Sequence, residues 1–425
     1  MPTPGFLLMK MGNKFGGKVS IALWITIVCI IVAIACQSRS FILGYSVSIV
    51  FILFAMSSIE INKKRASIAG VLLIGLLLVL TFCFKTGSSS GRMLIYKISL
   101  RILKEYHGAG IGWGNFSKVY GDYQAAYFKA GNFTTEELLL ADNTRHAFND
   151  YLQFIIETGI PGTIAVGLFT LLITRSVILS IKRNKSLPLL LLLAVSQITA
   201  VSTAAMFMHV FEQFSFQVVF LVSLITIVYY AYFSKMSIHV YIGLVLVTVS
   251  CSAFTHYRSC LINYPYYQSI KGAKALSGTG YKLEALEKYR AAYSHLKDDI
   301  NYLSEYAALL NSLKHYKDAE SVLETLVQKD NANVFYKTLG DCYFANGKVR
   351  KAEKAYCRAI YMVPNRFTTR FSLFNLYIQT QQYKQAMIIG KSILDLPVKV
   401  PSPEVDYIKA SAEKQLYARG YNGQH

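Results

Sequence analysis

Within the stretch 143–162, NTRHAFNDYLQFIIETGIPG, five polar side chains (Arg145, His146, Asn149, Asp150 and Gln153) stand immediately before a long apolar run. These residue types suit proton transfer beside an anion. An imidazole titrates near pH 6.5, which makes His146 the one unshifted base of the group at neutral pH, and Asp150, one turn away, orients or polarises it. A helix over 145–157 puts His146, Asn149, Asp150 and Gln153 at i, i+3, i+4 and i+7, a single polar stripe, with Phe148, Leu152, Ile155 and Ile156 over the remaining surface. A solvated helix face produces the same pattern. Here, however, the helix leads directly into an apolar span, so the stripe meets either water just above a membrane or a cavity between helices.

The elements that must hold this stripe follow from composition. The chain has 425 residues, is 53% hydrophobic and 16% charged, and carries 44 Lys and Arg against 24 Asp and Glu; its mean hydropathy is +0.34. That is a membrane protein with a basic surface, suited to anionic lipid head groups or a diphosphate-bearing substrate; no nucleic acid partner is expected. Seven cysteines without Cys-x-x-Cys spacing argue against a disulfide framework or zinc site, and neither a metal nor a cofactor is expected.

Runs of about 20 apolar residues suffice to span a bilayer as helix. Seven such runs occur, at 19–36, 41–59, 66–84, 159–181, 187–208, 217–233 and 237–256. The first is not a cleaved signal, since no A-x-A-like site follows it. Lys10, Lys14 and Lys18, then Lys63, Lys64 and Arg65, then Lys182, Arg183 and Lys185, and finally Lys235 all fall on one side if the spans alternate, which makes that side the cytoplasm. The loop 85–158 and everything after residue 256 are then extracytoplasmic. The expected architecture is all-α: a polytopic membrane domain, 1–256, followed by a soluble domain, 257–425.

The soluble part has a period. A 34-residue unit beginning at Asn333 places Tyr336, Leu339, Gly340, Tyr343, Gly347, Ala352, Tyr356, Ala359 and Pro364 at the signature positions of a tetratricopeptide repeat. Ala285, Ala319, Ala352 and Ala386 recur at the same interval, where the two helices of each unit approach closely. Three or four units over about 262–415 should stack into a right-handed solenoid whose groove binds a protein partner, or which only positions the membrane domain.

In the 85–158 loop, Lys97, Arg101 and Lys104 lie at i, i+4 and i+7 of an amphipathic segment led by Arg92, a pattern that a membrane-surface helix holding lipid phosphates explains on spacing alone. The following GAGIGWG, Gly108–Gly114, has no preceding strand and is no dinucleotide fingerprint. It is expected to turn the chain at the interface, with Trp113 anchored at head-group depth.

Asn149, nine residues, then Gly159-Ile160-Pro161-Gly162, preceded by a histidine-containing tetrapeptide and a large extracytoplasmic loop, resembles the signature of the O-antigen ligase family of membrane glycan ligases and polymerases. Gln37-Ser38-Arg39-Ser40 resembles the family's Ser-Arg motif, and Arg92 after Gly91 resembles its second arginine. The likeness covers roughly residues 30–235. It departs from the family in two respects: Phe148 stands where the family has histidine immediately before Asn149, and three spans precede the loop where the family commonly has more.

The resemblance implies a metal-independent transferase of the bacterial inner membrane that moves a glycan, at the periplasmic face, from undecaprenyl diphosphate to an acceptor hydroxyl on a glycolipid, polysaccharide or protein. Arginine suits a diphosphate leaving group because its planar fork bonds phosphate oxygens bidentately and keeps its charge. Arg39 and Arg92 are therefore the expected diphosphate ligands, with Arg101, Arg145, Asn149 and Gln153 as further substrate contacts. His146 is the expected base, with Asp150 or Glu212, in HVFEQFSF, as fallbacks. A polymerase of the same family, or a noncatalytic membrane anchor for the repeats, would share much of this sequence.

Overall fold

A helix whose every face is apolar is stable only where no face meets water, and two long helices of this protein are of that kind. The computed structural model describes residues 17–35, 38–56, 86–106, 108–183 and 188–418; the expected span 66–84 lies outside them. Among the described residues the chain is all-α, with 18 α-helices and no strand, and it divides into two compact units. One holds residues up to Ser89, Gly108–Gly110 and His146–Arg258; the other holds Ser90–His107, Ile111–Arg145 and Ser259 onward.

The first unit contains α1 (Gly17–Ala35), α2 (Arg39–Met56), and then α6 (Asp150–Arg183), α7 (Leu189–Ala205), α8 (Phe214–Val228, continued by a π-helical turn, Tyr229–Phe233) and α9 (Ile238–Ile262). Three stretches are long and apolar enough to cross a bilayer unaided: Asp150–Ser180, Phe214–Phe233 and Ile238–Arg258. The last has no buried residue in its apolar window, and Ile164, Leu168, Leu171 and Leu172 on α6 are likewise exposed, a surface suited to lipid and not to water. Shorter apolar stretches lie in α1 (Trp24–Ala33), in α2 (Ser40–Val50) and along α7.

Small residues set the packing of α2, α7 and α1. A Cβ on Gly44 of α2 would stand 2.5 Å from the Ala200 carbonyl oxygen of α7. Ser48 Oγ donates to the Ser196 carbonyl at 2.8 Å, and Ser196 in turn lies 3.3 Å from Thr26 Oγ1 of α1. Without water as competitor, close backbone approach and interhelical hydroxyl bonds replace the hydrophobic effect as the cohesive terms.

The second unit is a helical solenoid. Helix pairs α10/α11 (Tyr264–Gly278, Lys282–Leu296), α12/α13 (Ile300–Ser312, Tyr316–Lys329), α14/α15 (Asn333–Ala345, Val349–Met362) and α16/α17 (Phe367–Gln379, Tyr383–Leu394) end on α18 (Pro403–Tyr417). One continuous core runs from Ile270 to Leu416. Ala285, Ala319, Ala352 and Ala386 are all buried in it, as their period required. The turn within each pair passes through the left-handed region at Gly280, Lys314, Gly347 and Gln381, in step with those alanines.

This unit also includes the middle of the 85–158 loop: α3 from Ser90 (α3 as a whole is Thr86–Glu105), α4 (Phe116–Lys129) and α5 (Thr135–Leu140). The α4 helix packs on α15, and its Gly121 sits so close to the corner before α14 that a Cβ would lie 2.8 Å from the Asn331 carbonyl oxygen. Asn331 Nδ2 donates to the Lys118 carbonyl at 2.6 Å, and Asn143 and Asn333 exchange hydrogen bonds at 2.8 and 2.9 Å. Asn365 Nδ2 lies 3.0, 3.0 and 2.8 Å from the carbonyls of Leu138, Leu139 and Ala141. The solenoid corners thus hold a segment of their own chain, an arrangement that the repeat pattern alone did not reveal.

Lysine and glutamine in the left-handed region carry a steric cost that glycine does not. Lys314→Gly and Gln381→Gly are each expected to stabilise the solenoid by about 1 kcal/mol, read as a raised melting temperature; an unchanged or lowered one would show that these turns are unstrained.

Candidate functional site

The candidate site lies in the first unit and begins with how α6 starts. The helix opens at Asp150, not at residue 145. Residues 145–149 are irregular, and Phe148 is left-handed, with φ +52°. That corrects the expected stripe: His146 and Asn149 are not at helical positions relative to Asp150 and Gln153. The reason is capping chemistry. Asn149 Oδ1 accepts from Leu152 N at 3.0 Å and the Asn149 carbonyl accepts from Gln153 N at 3.0 Å, which makes Asn149 the N-cap. Gln153 Oε1 reaches back to accept from Ala147 N at 3.1 Å. A left-handed aromatic residue costs about 1–3 kcal/mol and persists only where its surroundings fix it.

Further along α6, Gly159 adopts φ +68° and ψ −155°, two residues before Pro161, and kinks the helix. Its freed neighbour, Ile160 N, donates to the Gly108 carbonyl at 2.7 Å. A Cβ on Gly159 would stand 2.1 Å from that same oxygen, and one on Gly110 would stand 2.6 Å from the Glu157 carbonyl. The first glycines of GAGIGWG and the glycine of GIPG are therefore two halves of one backbone crossing. Trp113, in the second unit, is 73% exposed.

The partner of the unwound segment is the loop between α7 and α8, residues 206–213. Asp150 Oδ2 accepts from Val210 N at 2.8 Å and from Phe211 N at 3.1 Å, bonds that an ionised acceptor strengthens. The loop presents His209 and Glu212 to the histidine: His146 Nδ1 lies 2.9 Å from Glu212 Oε1, and the imidazoles of His146 and His209 stack with centroids 4.4 Å apart and planes 11° apart. The Phe148 ring stands edge-on to His209 at 5.7 Å and 81°. Gln153 Nε2 is 3.4 Å from both Glu212 Oε1 and Glu157 Oε1, and Glu157 is buried. Burial raises the Glu212 carboxyl, but His146, His209 and Gln153 together outweigh it and hold the pKa below the usual range. Burial first, then the charge of His146, lowers His209 against the opposing pull of Glu212.

The same loop touches the start of α2. Ser38 Oγ is 3.9 Å from Met208 Sδ, Val210 and Phe41 share a core with Phe211 beside it, and Phe41 stacks on Phe216 at 4.6 Å. Arg39 is the first residue of α2. One end of this unit therefore brings together the start of α2, the start of α6 and the 206–213 loop.

The remaining sequence candidates lie in the second unit. Arg145 Nη2 is 2.7 Å from Asp330 Oδ2, whose side chain is 4% exposed. Arg101 lies over the Tyr127 ring at 4.7 Å. Lys97 Nζ is 2.7 Å from both Tyr127 Oη and Glu137 Oε1; burial pushes the Glu137 carboxyl up, but Lys97, Tyr127 and the Thr134 N–H prevail and bring it to about 2. Lys97 and Arg101 therefore serve this unit's own packing, where spacing alone suggested lipid phosphates. Arg92 is half-buried on α3. Sequence reasoning missed His209 and Glu157; the available signal was the position of His209 in a short loop on the same expected side as the 85–158 segment.

Residues 24–167 match the family model of the O-antigen ligases, so this part of the chain is O-antigen-ligase-like, and the long apolar helices make the protein a membrane protein. No curated protein matches the chain. Among solved structures, MamA 41-end from Desulfovibrio magneticus RS-1 and a MamA RS-1 ArsTM double mutant are each 19% identical over 34% of this chain and 76% of theirs, with a TM-score of 0.29.

A side chain at Gly159 must both adopt a disfavoured φ and clear the Gly108 carbonyl. Gly159→Ala is expected to cost at least about 3 kcal/mol from strain and overpacking together, seen as a lowered unfolding temperature in detergent; an unaltered transition would mean that the crossing is not built as described.

Proposed function

We propose that this membrane protein of the O-antigen ligase type transfers a glycan from undecaprenyl diphosphate to an acceptor hydroxyl at the periplasmic face of the inner membrane. The observation that carries the reading is the single loop, 206–213, bonded to the starts of both α2 and α6, which joins the helix led by Arg39 to the His146, His209 and Glu212 cluster. The positive-inside pattern supports the outer side for this end, and the 34-residue helix pairs are read as tetratricopeptide repeats.

The chemistry needs few parts. The acceptor oxygen attacks the anomeric carbon and the bond from that carbon to the diphosphate oxygen breaks. The electron pair leaves on undecaprenyl diphosphate, which requires cations and no proton. Arg39, which leads α2, is the guanidinium of this unit read as such a cation, and the family resemblance adds Arg92 as a second. An imidazole of the cluster takes the acceptor's proton, and Glu212 orients that cluster. Phe148, at the family's histidine position, does not leave the cluster without imidazoles; the unwound start of α6 brings His146 in from two residues earlier. No metal is required by this scheme.

The solenoid grips the chain's own 116–145 segment, which favours a positioning role over partner recruitment for that surface.

Membranes supplied with undecaprenyl diphosphate-linked glycan test the reading. Wild type is expected to release carrier, Arg39→Ala and Arg92→Ala to lose about 10²–10³-fold in rate, and the product to be carrier-free. Product that stays on undecaprenyl diphosphate would identify a polymerase, and no product from intact wild type would leave a noncatalytic membrane-anchored scaffold.

A further inference from the structure

The His146–His209 stack poses a question that the transfer reading leaves open: two imidazoles face one reaction, and a base must be a neutral one with a free lone pair. We propose that His209, not His146, takes the proton from the acceptor hydroxyl, with His146 as the positioning imidazole that Glu212 orients beside it; this rests on the glycan-transfer reading.

Three observations separate the roles. First, the Glu212 carboxylate stands beside His146, with Oε1 2.9 Å from Nδ1, and occupies the approach to that nitrogen. Second, two rings 4.4 Å apart and nearly parallel do not both hold a charge, because like charges at that distance repel strongly outside bulk water. Of the two, His209 is the ring whose pKa is lowered, by burial first and then by its stacked neighbour, which favours its neutral form. Third, the Nδ1 atoms of both rings are buried without a hydrogen bond among the described residues, but that of His146 has the Glu212 carboxylate beside it and that of His209 has no such neighbour. A buried imidazole nitrogen without a partner is costly, and an incoming hydroxyl would satisfy it.

The surroundings of His209 fit this assignment. Facing it are His146 and Phe148 from the segment before α6, Glu212 from its own loop, and Asp150 and Gln153 of α6, which bond to that loop or to Glu212. From α2, Ser38 touches the adjacent Met208. The Phe148 edge walls one side of the ring, so the family's histidine position has become part of the pocket for a base carried on a different loop. In the step itself, the acceptor O–H bond breaks as the glycosidic C–O bond forms; the proton moves to His209 and the electron pair of the broken C–O bond leaves on the diphosphate.

Two measurements on the full-length protein decide this. In the transfer assay, His209→Gln is expected to lose about 10²–10⁴-fold in kcat and to lose the acidic limb of the kcat/KM profile, while His146→Ala raises KM and keeps that limb. Independently of substrate, diethylpyrocarbonate, which reacts with neutral imidazole, is applied across pH and the modification of each histidine is followed by mass spectrometry. The His209 midpoint is expected below the ordinary value of about 6.5, moving upward in His146→Ala as the neighbouring charge is removed. The failures are distinguishable. No transfer by wild type overturns the glycan-transfer reading and this role with it. Transfer by wild type, with His209→Gln keeping more than about a tenth of its rate or with a His209 midpoint above 6.5 that ignores His146→Ala, overturns only the assignment to His209.

Discussion

Two backbone N–H groups, those of Val210 and Phe211, end on one carboxylate oxygen of Asp150, and the candidate site depends on that tie. A loop tip between two apolar helices has little packing of its own. Without the carboxylate, two donors lose a charged partner worth about 1.5–3 kcal/mol each, and His209 and Glu212 are left to the Gln153 contact and the packing of Val210 and Phe211. With it, the irregular start of α6 and the 206–213 loop become one body. Asp150 is thus a positioning residue rather than the orienting partner of His146 that the sequence suggested.

The same logic of backbone held by backbone recurs at the kink. Gly159 and Pro161 would break an ordinary helix, yet the Ile160 N–H that the kink releases is taken up by the Gly108 carbonyl. The region therefore tolerates irregular chain within an otherwise apolar span because each freed group finds a partner inside protein. The strained φ of Phe148 is maintained in the same way, between the Asn149 cap and the His209 ring.

Much of the fold was legible because it depends on local period. Continuous apolar runs gave the helices at 217–233 and 237–256 to within three and six residues of their observed ends, Phe214–Phe233 and Ile238–Ile262, and the alanines at intervals of one repeat gave the helix pairs of the solenoid. The parts that were not legible depend on contacts distant in sequence. A helical pattern from 145 onward was a fair reading of spacing, but Asn149 is a better N-cap than helix-interior residue, and its capping bonds decided the boundary. His209 carried no period, and its place in HVFEQFSF beside Glu212 did not mark it; only tertiary contact puts it on His146. Lys97, Arg101 and Lys104 read as a face for lipid phosphates from spacing alone, and the partners that Lys97, Arg101 and Arg145 have within the second unit, Glu137, Tyr127 and Asp330, could not be anticipated from the pattern. The carbonyls of Leu138, Leu139 and Ala141 meeting the amide of Asn365 were invisible for the same reason.

The most direct measurement is the initial rate of carrier release from undecaprenyl diphosphate-linked glycan by full-length Asp150→Asn and Asp150→Ala in lipid nanodiscs, with thermal unfolding of each recorded alongside. Asparagine keeps an oxygen that can accept from both Val210 and Phe211, so it should retain most of the wild-type rate, whereas alanine should fall by more than about tenfold while still folded. An alanine variant as fast as wild type would show that the loop needs no such tie, and that the cluster built on it is not the site of transfer.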